Sequence, residues 1–394
     1  MTQPARRLEV ELLAGLRTVV GTANVLTDPA DRLPYGYDNS RRVALPDAVV
    51  FAHSADEIRE ILRLCNRFRT PLVARGRGTN TTGATVPVQG GVVLSLERMN
   101  RILEIRPEDR LAIVEPGVTN TELQAALEPH GFFWPPDPSS AAYSTLGGNL
   151  ACNAAGPRAV KYGTPRDNTL GLRAVTGTGE EIRTGVSTTK GVVGYDLTRL
   201  IIGSEGTLAI ITEATLRLTP RPATKRTLRA LYRDVGAAAR AVSRIMGQPE
   251  TPCALEFIDG AAIEMIRHYQ PATRADLPES AGAMLMIEVD GSEASVKIAT
   301  DAVSAAARGD GLLELRAARD AAEVAALWDT RKALSPALRT LAPKKINEDV
   351  VVPVSRMAEL IEGLQQLSAK HGIRIVNFGH AGNGNLHVNL LCDP

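Results

Sequence analysis

The spacing of apolar and polar residues changes several times along the first half of the chain. Over residues 8–20, leucine and valine recur at intervals of three and four, which predicts an amphipathic helix. A second helix is predicted over 54–68, where Ser54 and Glu57 have the spacing of a capping box, and a third over 119–130. Short apolar runs predict strands at 48–52, 71–74, 92–96, 101–105, 112–116, 172–176, 182–184 and 208–218.

A different alternation of strands and helices follows the proline-containing run 219–222. It predicts strands at 227–232, 254–259, 284–290 and 312–317, and helices at 235–247, 260–269 and 292–307. At 394 residues the chain is longer than one hydrophobic core usually serves. We therefore expect a helical lead over 1–40, a first domain over 41–222 and a second domain over 223–394.

Composition narrows the classes of partner. A net charge of +1, without runs of like charge, argues against nucleic-acid binding. The N-terminal sequence lacks a signal-peptide core, and no segment approaches the roughly 18 apolar residues of a membrane span. We therefore expect a cytoplasmic protein without a transmembrane segment. The four cysteines form no C-x-x-C pair, which argues against iron–sulfur clusters and redox dithiols.

Glycine-rich segments suggest a site for an extended, phosphate-containing ligand. The run Arg75–Gly83 follows a predicted strand, and glycines let backbone N–H groups approach an anion. The P-loop lysine is missing, and the third glycine of a dinucleotide-binding fingerprint is misplaced, so neither motif applies. Similar small-residue clusters lie at 135–138, 145–156 and 203–208. Together they predict a dinucleotide site.

Two histidines near the C-terminus flank the turn dipeptide Asn383-Gly384. If this dipeptide forms a two-residue hairpin turn, His380 and His387 lie directly opposite each other, with Cβ atoms about 4.5–5.5 Å apart. Alternation along the strand then puts Asn389 on the same face as His387. Such a pair could share a metal ion, although a strand histidine is more often simply a satisfied polar residue. A catalytic zinc normally has three protein ligands. The third would come from Glu348, Asp349 or sequence outside this chain.

The order of these motifs resembles one flavoprotein family. RGRGTNTTG, EPG, PPDP, TLGGNLACNAAG, GYDL and GSEGTLAIITEATLRL are similar to the FAD-binding domain of the vanillyl-alcohol-oxidase superfamily. ALEFID, LWDTR, NEDVVVP and GHAGNGNLHVN resemble the branch that contains D-lactate and D-2-hydroxyglutarate dehydrogenases and the FAD subunit of glycolate oxidase. The resemblance implies an α+β fold, in which a two-subdomain, PCMH-type FAD-binding domain precedes an α+β substrate or cap domain with an antiparallel sheet flanked by helices.

The resemblance also implies site residues. The FAD pyrophosphate would be held by Arg75, Gly76, Arg77, Gly78, Thr79, Asn80, Thr81 and Thr82. The flavin and ribityl path would be lined by Pro136, Asp137, Thr145, Gly147, Gly148, Asn149, Ala151 and Asn153. Glu205, Gly206 and Ile210 would support the adenine side and the isoalloxazine edge, and Asn389 would approach the flavin. The first loop lacks the histidine or cysteine that attaches FAD covalently in some relatives, so non-covalent FAD is expected.

The implied activity is oxidation of a D-2-hydroxy acid such as lactate, 2-hydroxyglutarate or glycolate. Arg331 would clamp the carboxylate, and a zinc or manganese ion on His380 and His387 would acidify the hydroxyl. Hydride would pass to flavin N5, and electrons would leave to a quinone, a cytochrome or an electron-transfer flavoprotein. A homodimer, a subunit of an oxidase complex and a peripheral position at the inner membrane are all compatible with this activity.

Two departures from the family pattern keep other activities open. Asn383 replaces the usual aspartate between the glycines of the histidine motif. The resemblance further implies that the chain is incomplete at its C-terminus, before a segment that supplies the third metal ligand and a base. Without that segment, metal binding and turnover would be impaired. The alternatives are an enzyme like the flavin-dependent alkyl-glycerone-phosphate synthases and a non-catalytic, flavin-carrying subunit.

Overall fold

The computed structural model describes residues 8–269, 277–342 and 344–392. The chain forms two compact units by contact. The first contains the described residues up to Gly156 together with Gly163–Arg221, and the second contains Pro157–Tyr162 and the described residues from Pro222 onward. The chain therefore passes into the second unit for the six residues 157–162 and returns to the first unit at Gly163. The division into a 1–40 lead and domains 41–222 and 223–394 stays a prediction.

Helices and strands alternate irregularly up to residue 221. The helices are α1 (Val10–Val20), α2 (Pro29–Arg32), α3 (Ala55–Arg67), α4 (Asn120–Leu127), α5 (Leu146–Ala151), α6 (Ala159–Tyr162) and α7 (Leu197–Ile201). The strands are β1 (Val25–Leu26), β2 (Ala48–Phe51), β3 (Leu72–Arg75), β4 (Val92–Ser95), β5 (Ile102–Arg106), β6 (Leu111–Val114), β7 (Phe132–Phe133), β8 (Thr169–Thr176), β9 (Glu181–Gly185), β10 (Ala209–Arg217) and β11 (Thr219–Pro220).

The described part of the first unit has two main sheets. One has the strand order β1-β2-β4-β3, in which β4 runs parallel to both β2 and β3. The other is antiparallel, with the order β5-β6-β10-β8-β9. Helices α1 and α3 bury leucine and isoleucine against the first sheet, and α4, α5 and α7 pack against the second. Val175 of β8 and Ile210 of β10 also belong to the core of the first sheet, so the two sheets share part of that core.

Helix caps explain where two of these helices begin. Ser54 Oγ accepts a hydrogen bond from the backbone of Glu57, as predicted, but the Glu57 carboxylate accepts from the backbone of His53 instead of Ser54. A complete capping box occurs at Thr119 and Glu122. The helix that follows ends at Leu127, and a 3-10 turn continues to His130, because Pro129 has no N–H to extend the helical pattern.

The second unit is a helix-flanked antiparallel sheet. Its helices are α8 (Val235–Met246), α9 (Gly260–Tyr269), α10 (Glu293–Ala307), α11 (Ala321–Leu341) and α12 (Met357–His371). Its strands are β12 (Thr224–Tyr232), β13 (Ala254–Asp259), β14 (Ala283–Gly291), β15 (Leu312–Ala317), β16 (Lys344–Val351), β17 (Arg374–His380) and β18 (Asn385–Cys392). In the described residues their order is β15-β12-β14-β13-β17-β18-β16.

Helices cover both faces of this sheet. One face packs against α8, α10 and α12, and the other against α9 and α11. The structure adds α11 and α12 to the helices predicted from the sequence. The architecture confirms the predicted α+β fold, with an antiparallel sheet flanked by helices in the second unit. No helix in the described ranges is both long and apolar enough to cross a membrane.

Candidate functional site

A pocket in the first unit is lined by three of the predicted glycine-rich segments. Of the residues predicted to bind FAD, it is lined by Arg75, Gly76, Arg77, Gly78, Thr79, Asn80, Thr145, Gly147, Gly148, Asn149, Ala151, Glu205, Gly206 and Ile210. These segments follow β3, precede β10 or form α5, so strands and a short helix position their backbones around one space. The glycine-rich segments far apart in sequence thus share one site.

The other predicted FAD residues of this unit do not line the pocket. Thr81 and Thr82 are exposed on the turn that continues the first loop. The carbonyl oxygen of Pro136 accepts a hydrogen bond from the Asn120 amide, and the backbone N–H of Asp137 donates to Ala155. Asn153 accepts from the backbone of Arg166. These residues brace the loops around the pocket.

Several groups in the pocket wall are left without protein partners, as expected for a binding site. Among the described residues, the backbone N–H groups of Arg77, Gly78 and Thr79 donate to no protein acceptor. The side-chain nitrogen of Asn149 and the hydroxyl of Ser204 are buried and unpartnered within the same part of the structure. Successive free N–H groups form an anion site, and buried polar atoms are normally hydrogen-bonded. These residues therefore suit a polar, anionic ligand such as the FAD pyrophosphate.

Close packing dictates glycine at one point of the wall. A Cβ on Gly147 would lie 2.5 Å from the Cβ of Pro116, a ring atom that cannot move away. The glycine brings the start of α5 against the turn after β6. A larger residue would force α5 and this turn apart and so change the shape of the pocket, which both of them line.

Arg75 has a role that differs from simple contact with a phosphate. Its guanidinium donates to the carbonyl oxygen of Pro34 and to the hydroxyl of Thr85, at 3.1 and 3.2 Å, and lies over the ring of Tyr35. Burial lowers the pKa of Arg75, and Asp38 opposes that shift. The side chain therefore ties the phosphate loop to the segment 34–38 while placing a positive charge in the pocket wall.

The histidine hairpin of the second unit has a different register from the predicted one. Residues 381–383 form a 3-10 turn and Gly384 follows in the left-handed region, so four residues connect β17 and β18. His380 consequently pairs with Asn385, and His387 pairs with Phe378. A Cβ on Gly384 would overlap the carbonyl oxygen of Val352, which fixes this turn. The prediction that the two histidines are directly opposed is wrong.

The two histidines are nevertheless neighbours. They lie diagonally on the same face of the sheet, with ring centroids 5.4 Å apart and ring planes at 82°. Asn389 shares this face, as predicted, but its side chain is fully buried and donates to the carbonyl oxygens of Val376 and His387. Its approach to the flavin stays a prediction.

The structure shows that Glu256, which was not predicted as a site residue, contacts two of the predicted catalytic residues, Arg331 and His380. It pairs with His380 across β13 and β17, and its carboxylate lies 2.6 Å from His380 Nδ1. Its other oxygen accepts a hydrogen bond from Arg331 Nε at 2.7 Å. Burial would raise the pKa of Glu256, but Arg331 and His380 together outweigh burial and lower that pKa. The carboxylate is therefore ionised and is paired on both sides.

Arg331 is buried, which excludes a solvated role on the helix surface. Its side chain is 11% exposed, and its guanidinium lies 4.8 Å from the ring centroid of Phe378. Helix α11 positions it, and Trp328, one turn earlier, donates to Glu288 on the same sheet. With Nε used by Glu256, the terminal nitrogens of Arg331 make no hydrogen bond to the described residues. They could bind a carboxylate in the bidentate manner that arginine favours.

The donor set does not complete a metal site. His387 Nδ1 lies 3.2 Å from Asp349, so both histidines have a carboxylate behind the ring and Nε2 facing away. Asp349 thus orients His387, and Glu348 points to the other sheet face, because it pairs with Val388. Residues 8–269, 277–342 and 344–392 contain no group of three or more His, Cys, Asp or Glu that could hold a metal. Two nitrogens alone do not fit a catalytic zinc site.

Sequence reasoning missed Glu256 and Ser204. The one available signal for Glu256 was a carboxylate inside the otherwise apolar strand ALEFI, since charged residues are rarely fully buried unless paired. Ser204 lies in a glycine-rich segment that was singled out, between Gly203 and Glu205. Nothing local distinguished its hydroxyl from that of a turn residue.

A pocket lined by glycine loops, together with a separate cluster of buried charged groups, is typical of flavin-dependent oxidoreductases. The family description "FAD binding domain" matches residues 46–185, and "FAD linked oxidases, C-terminal domain" matches residues 221–394. The chain belongs to the family of FAD-linked oxidases and is an FAD-linked oxidoreductase, which confirms the resemblance seen in the sequence.

Individual relatives extend this finding. The chain is 43% identical over 376 residues to the glycolate oxidase subunit GlcD of Bacillus subtilis, which covers 95% of this chain and 79% of that protein. It is 34% identical to the mitochondrial D-lactate dehydrogenase [cytochrome] of Arabidopsis thaliana, over 99% of this chain and 68% of the relative. A solved alkyldihydroxyacetonephosphate synthase, 22% identical, superposes with a TM-score of 0.79 over 98% of this chain and 81% of that one, which shows the shared fold.

Proposed function

We propose that the chain oxidises a D-2-hydroxy acid to the 2-oxo acid, with FAD held by the first unit and the substrate's polar groups held by the second. The observation that carries the proposal is the contact of Arg331 and His380 with one buried carboxylate, Glu256. It presents a carboxylate-binding group and a proton-accepting group side by side. The names of the relatives, a glycolate oxidase subunit and a D-lactate dehydrogenase, support the same substrate class.

In this proposal, each polar residue of the second-unit cluster has a separate role. The terminal nitrogens of Arg331 bind the substrate carboxylate. The Nε2 atom of His380 takes the proton of the α-hydroxyl as the C–O bond becomes a carbonyl. His387, 5.4 Å away between ring centroids, lines the same face. Bound FAD would supply the acceptor for the hydride that leaves Cα.

FAD is proposed to bind non-covalently. The first loop contains no histidine or cysteine, but Cys152 does line the pocket. Burial raises the pKa of the Cys152 thiol to about 11, which keeps it protonated and a poor nucleophile. A zinc or manganese ion on His380 and His387 would serve to acidify the hydroxyl, but the described residues supply only two of the three protein ligands that a catalytic zinc normally has. The proposal therefore assigns the proton transfer to His380.

The electrons are proposed to leave the flavin to a quinone, a cytochrome or an electron-transfer flavoprotein. The word "subunit" in the name of the Bacillus subtilis relative favours work within an oxidase complex. A cytoplasmic location stays a prediction. Reoxidation of the reduced flavin by each acceptor in turn would identify the partner.

The experiment is anaerobic reduction of the FAD-loaded protein. D-lactate, glycolate and D-2-hydroxyglutarate are added separately, with L-lactate and 3-hydroxybutyrate as controls. We expect the flavin absorbance to bleach with one or more of the first three and to persist with the controls. Persistence with all five would contradict the proposal and would favour a flavin-carrying subunit without this activity.

A further inference from the structure

Residues 36–44, the N-terminal clip, fold back on themselves beside the glycine-rich loop Arg75–Gly83. An antiparallel bridge between Tyr37 and Val43 closes the clip. Within the described ranges, no residue of the clip lines the pocket, and the clip precedes residues 46–185, which match the FAD-binding family. Its contacts with the glycine-rich loop can therefore act on the pocket only indirectly.

Two hydrogen bonds from Asn39 hold the backbone of the glycine-rich loop. The side-chain amide of Asn39 donates to the carbonyl oxygen of Thr79, and its backbone N–H donates to the carbonyl oxygen of Asn80, both at 3.0 Å. In a planar trans peptide the carbonyl oxygen and the following N–H point in opposite directions. The N–H groups of Asn80 and Thr81 are therefore directed away from the clip. Because Thr79 and Asn80 line the pocket, engaging their carbonyl oxygens removes two acceptors that would repel an anion.

Asp38 holds a side chain of the same loop. Asp38 is 6% exposed, and its carboxylate accepts hydrogen bonds from Asn80 Nδ2 and from the backbone N–H of Ser40, both at 2.8 Å. At the other end of the Asn80 amide, Oδ1 accepts from the Thr85 hydroxyl at 3.1 Å. The same hydroxyl accepts from the guanidinium of Arg75. The Asn80 side chain is thus engaged by protein at both ends and fastens the loop to the clip.

The glycine content of the loop explains why such support matters. Gly78 and Gly83 both have positive φ, 62° and 83°. Glycine loses more conformational freedom on ordering than any other residue. A loop that became ordered only when its ligand arrived would bind that ligand more weakly, because the cost of ordering would fall on the binding step. Contacts that order the loop beforehand remove this cost.

We propose that the N-terminal clip preorganises the anion-binding loop, and that Asp38 and Asn39 are positioning residues for FAD, which act without contacting it. This inference rests on the part of the proposed function that places FAD in the pocket of the first unit. It gives a role in cofactor binding to residues predicted to belong to the 1–40 lead, outside the FAD-binding domain.

The first test is titration of the full-length apoprotein with FAD, followed by the change in flavin fluorescence. Asp38→Ala removes a hydrogen bond to a charged group, and the loss of such a bond corresponds to a roughly 10- to 100-fold weaker Kd. Asn39→Ala removes one neutral hydrogen bond and keeps the backbone one, which corresponds to a roughly 2- to 10-fold weaker Kd. We expect FAD to bind each variant more weakly by these factors, with folding checked by circular dichroism.

Each variant has a matched control in the same unit. The carboxylate of Asp47 accepts from the backbone N–H of Gly91, and the exposed amide of Asn66 donates to the carbonyl oxygen of Gly177, both at 2.7 Å. Neither residue is among those that line the pocket in the described part of the chain. Asp47→Ala and Asn66→Ala should bind FAD like the wild type. Equal weakening in the clip variants and in these controls would overturn the inference, because the effect would then come from a general loss of stability.

A double-mutant cycle tests whether Asp38 acts through Asn80. If it does, Asp38→Ala should weaken FAD binding much less in an Asn80→Ala background than in the wild type. A general loss of stability would not depend on that background. Equal weakening in both backgrounds would overturn the role assigned to Asp38.

Hydrogen exchange of the wild type provides a test that needs no variant. Coupling between two sites is reciprocal, so a clip that favours FAD binding is itself stabilised by FAD. We expect exchange of the clip amides, above all that of Asn39, to slow when FAD is added. Unchanged exchange would overturn the inference, even if Asp38→Ala fails to fold.

These measurements also separate the inference from the proposed function. A wild type that binds FAD, but whose flavin no hydroxy acid reduces, contradicts the proposed function alone. Equal FAD binding by the wild type, Asp38→Ala and Asn39→Ala contradicts the role of the clip alone. A wild-type protein that does not bind FAD contradicts both.

Discussion

The two units form their binding groups from different parts of the polypeptide. The pocket of the first unit presents backbone N–H groups at Arg77, Gly78 and Thr79 that have no acceptor in the part of the chain that the structure describes, and its walls depend on the absence of side chains. The polar cluster of the second unit consists of side chains, with Glu256 paired to both Arg331 and His380. A backbone site is sensitive to added bulk, whereas a cluster of paired charges is sensitive to the loss of one partner.

The contrast is not complete, and the exception is informative. Arg75 is a buried charge in the first unit, yet its guanidinium binds the carbonyl oxygen of Pro34 and the hydroxyl of Thr85. Through these two hydrogen bonds Arg75 supports the position of the glycine loop. In the second unit, the corresponding work of support is done by Glu256. In both places a buried charged group holds the groups that would face a ligand.

Adding a single carbon to the backbone site should have the largest effect. In Gly147→Ala, the new Cβ would meet the Pro116 ring at 2.5 Å, so α5 and the Pro116 turn must move apart, and both line the pocket. A displacement that costs about 3 kcal/mol weakens binding roughly 100-fold. We expect Gly147→Ala to lose FAD during gel filtration, measured by flavin absorbance per protein.

The matched control is Gly177→Ala in the same unit. A Cβ on Gly177 has nothing within 4 Å, so this variant should retain FAD like the wild type. Equal FAD retention by both variants would mean that the pocket tolerates a shift of α5. The flavin would then not depend on this close contact.

Shape as well as charge should matter in the side-chain cluster. Arg331→Lys keeps the charge but loses the planar fork, so one group can no longer bind Glu256 and a substrate carboxylate together. Hydrogen bonds to charged groups contribute about 1.5–3 kcal/mol, which corresponds to a roughly 10- to 100-fold weaker substrate Kd. The measurement is the substrate dependence of flavin reduction by stopped flow.

Arg229→Lys provides the control for this change. Arg229, on β12 of the sheet against which α11 packs, is also buried (5% exposed, compared with 9% for Arg331), and its guanidinium binds Glu314. We expect its substitution to leave the substrate Kd unchanged. If both variants weaken binding to the same extent, the effect comes from loss of packing in the sheet and not from a carboxylate clamp.

The same contrast explains what the sequence could reveal. Glycine loops are local patterns, so the segments around Arg75, Thr145 and Glu205 could be recognised from composition and order. Glu256 could not, because its partners lie 75 and 124 residues away and meet it only in the folded sheet. The apolar periodicity does predict the strand that carries it. It does not indicate which polar residue in a strand will be paired.

The hairpin register failed for a local reason. Asn383-Gly384 is the dipeptide of a two-residue turn, but here Asn383 ends a 3-10 turn and only Gly384 has positive φ. The connection is two residues longer than predicted on account of this alternative use of the dipeptide. Alternation along each strand is unaffected, so the prediction that His387 and Asn389 share a face survived the wrong turn type.

Metal removal should have the smallest effect and tests whether the side-chain cluster works alone. His380 and His387 each have a carboxylate at Nδ1, and the described residues supply no third ligand near them. If His380 itself accepts the hydroxyl proton, treatment with EDTA should leave the rate of flavin reduction unchanged. Adding zinc or manganese afterwards should not raise the rate of flavin reduction.

The contradicting result would be a rate that falls on chelation, returns with added metal and does not respond to metal in His387→Ala. It would show that the two rings hold an ion. The proton would then leave a metal-bound hydroxyl, and the contrast between the two units would lie in metal chemistry as well as in side chains.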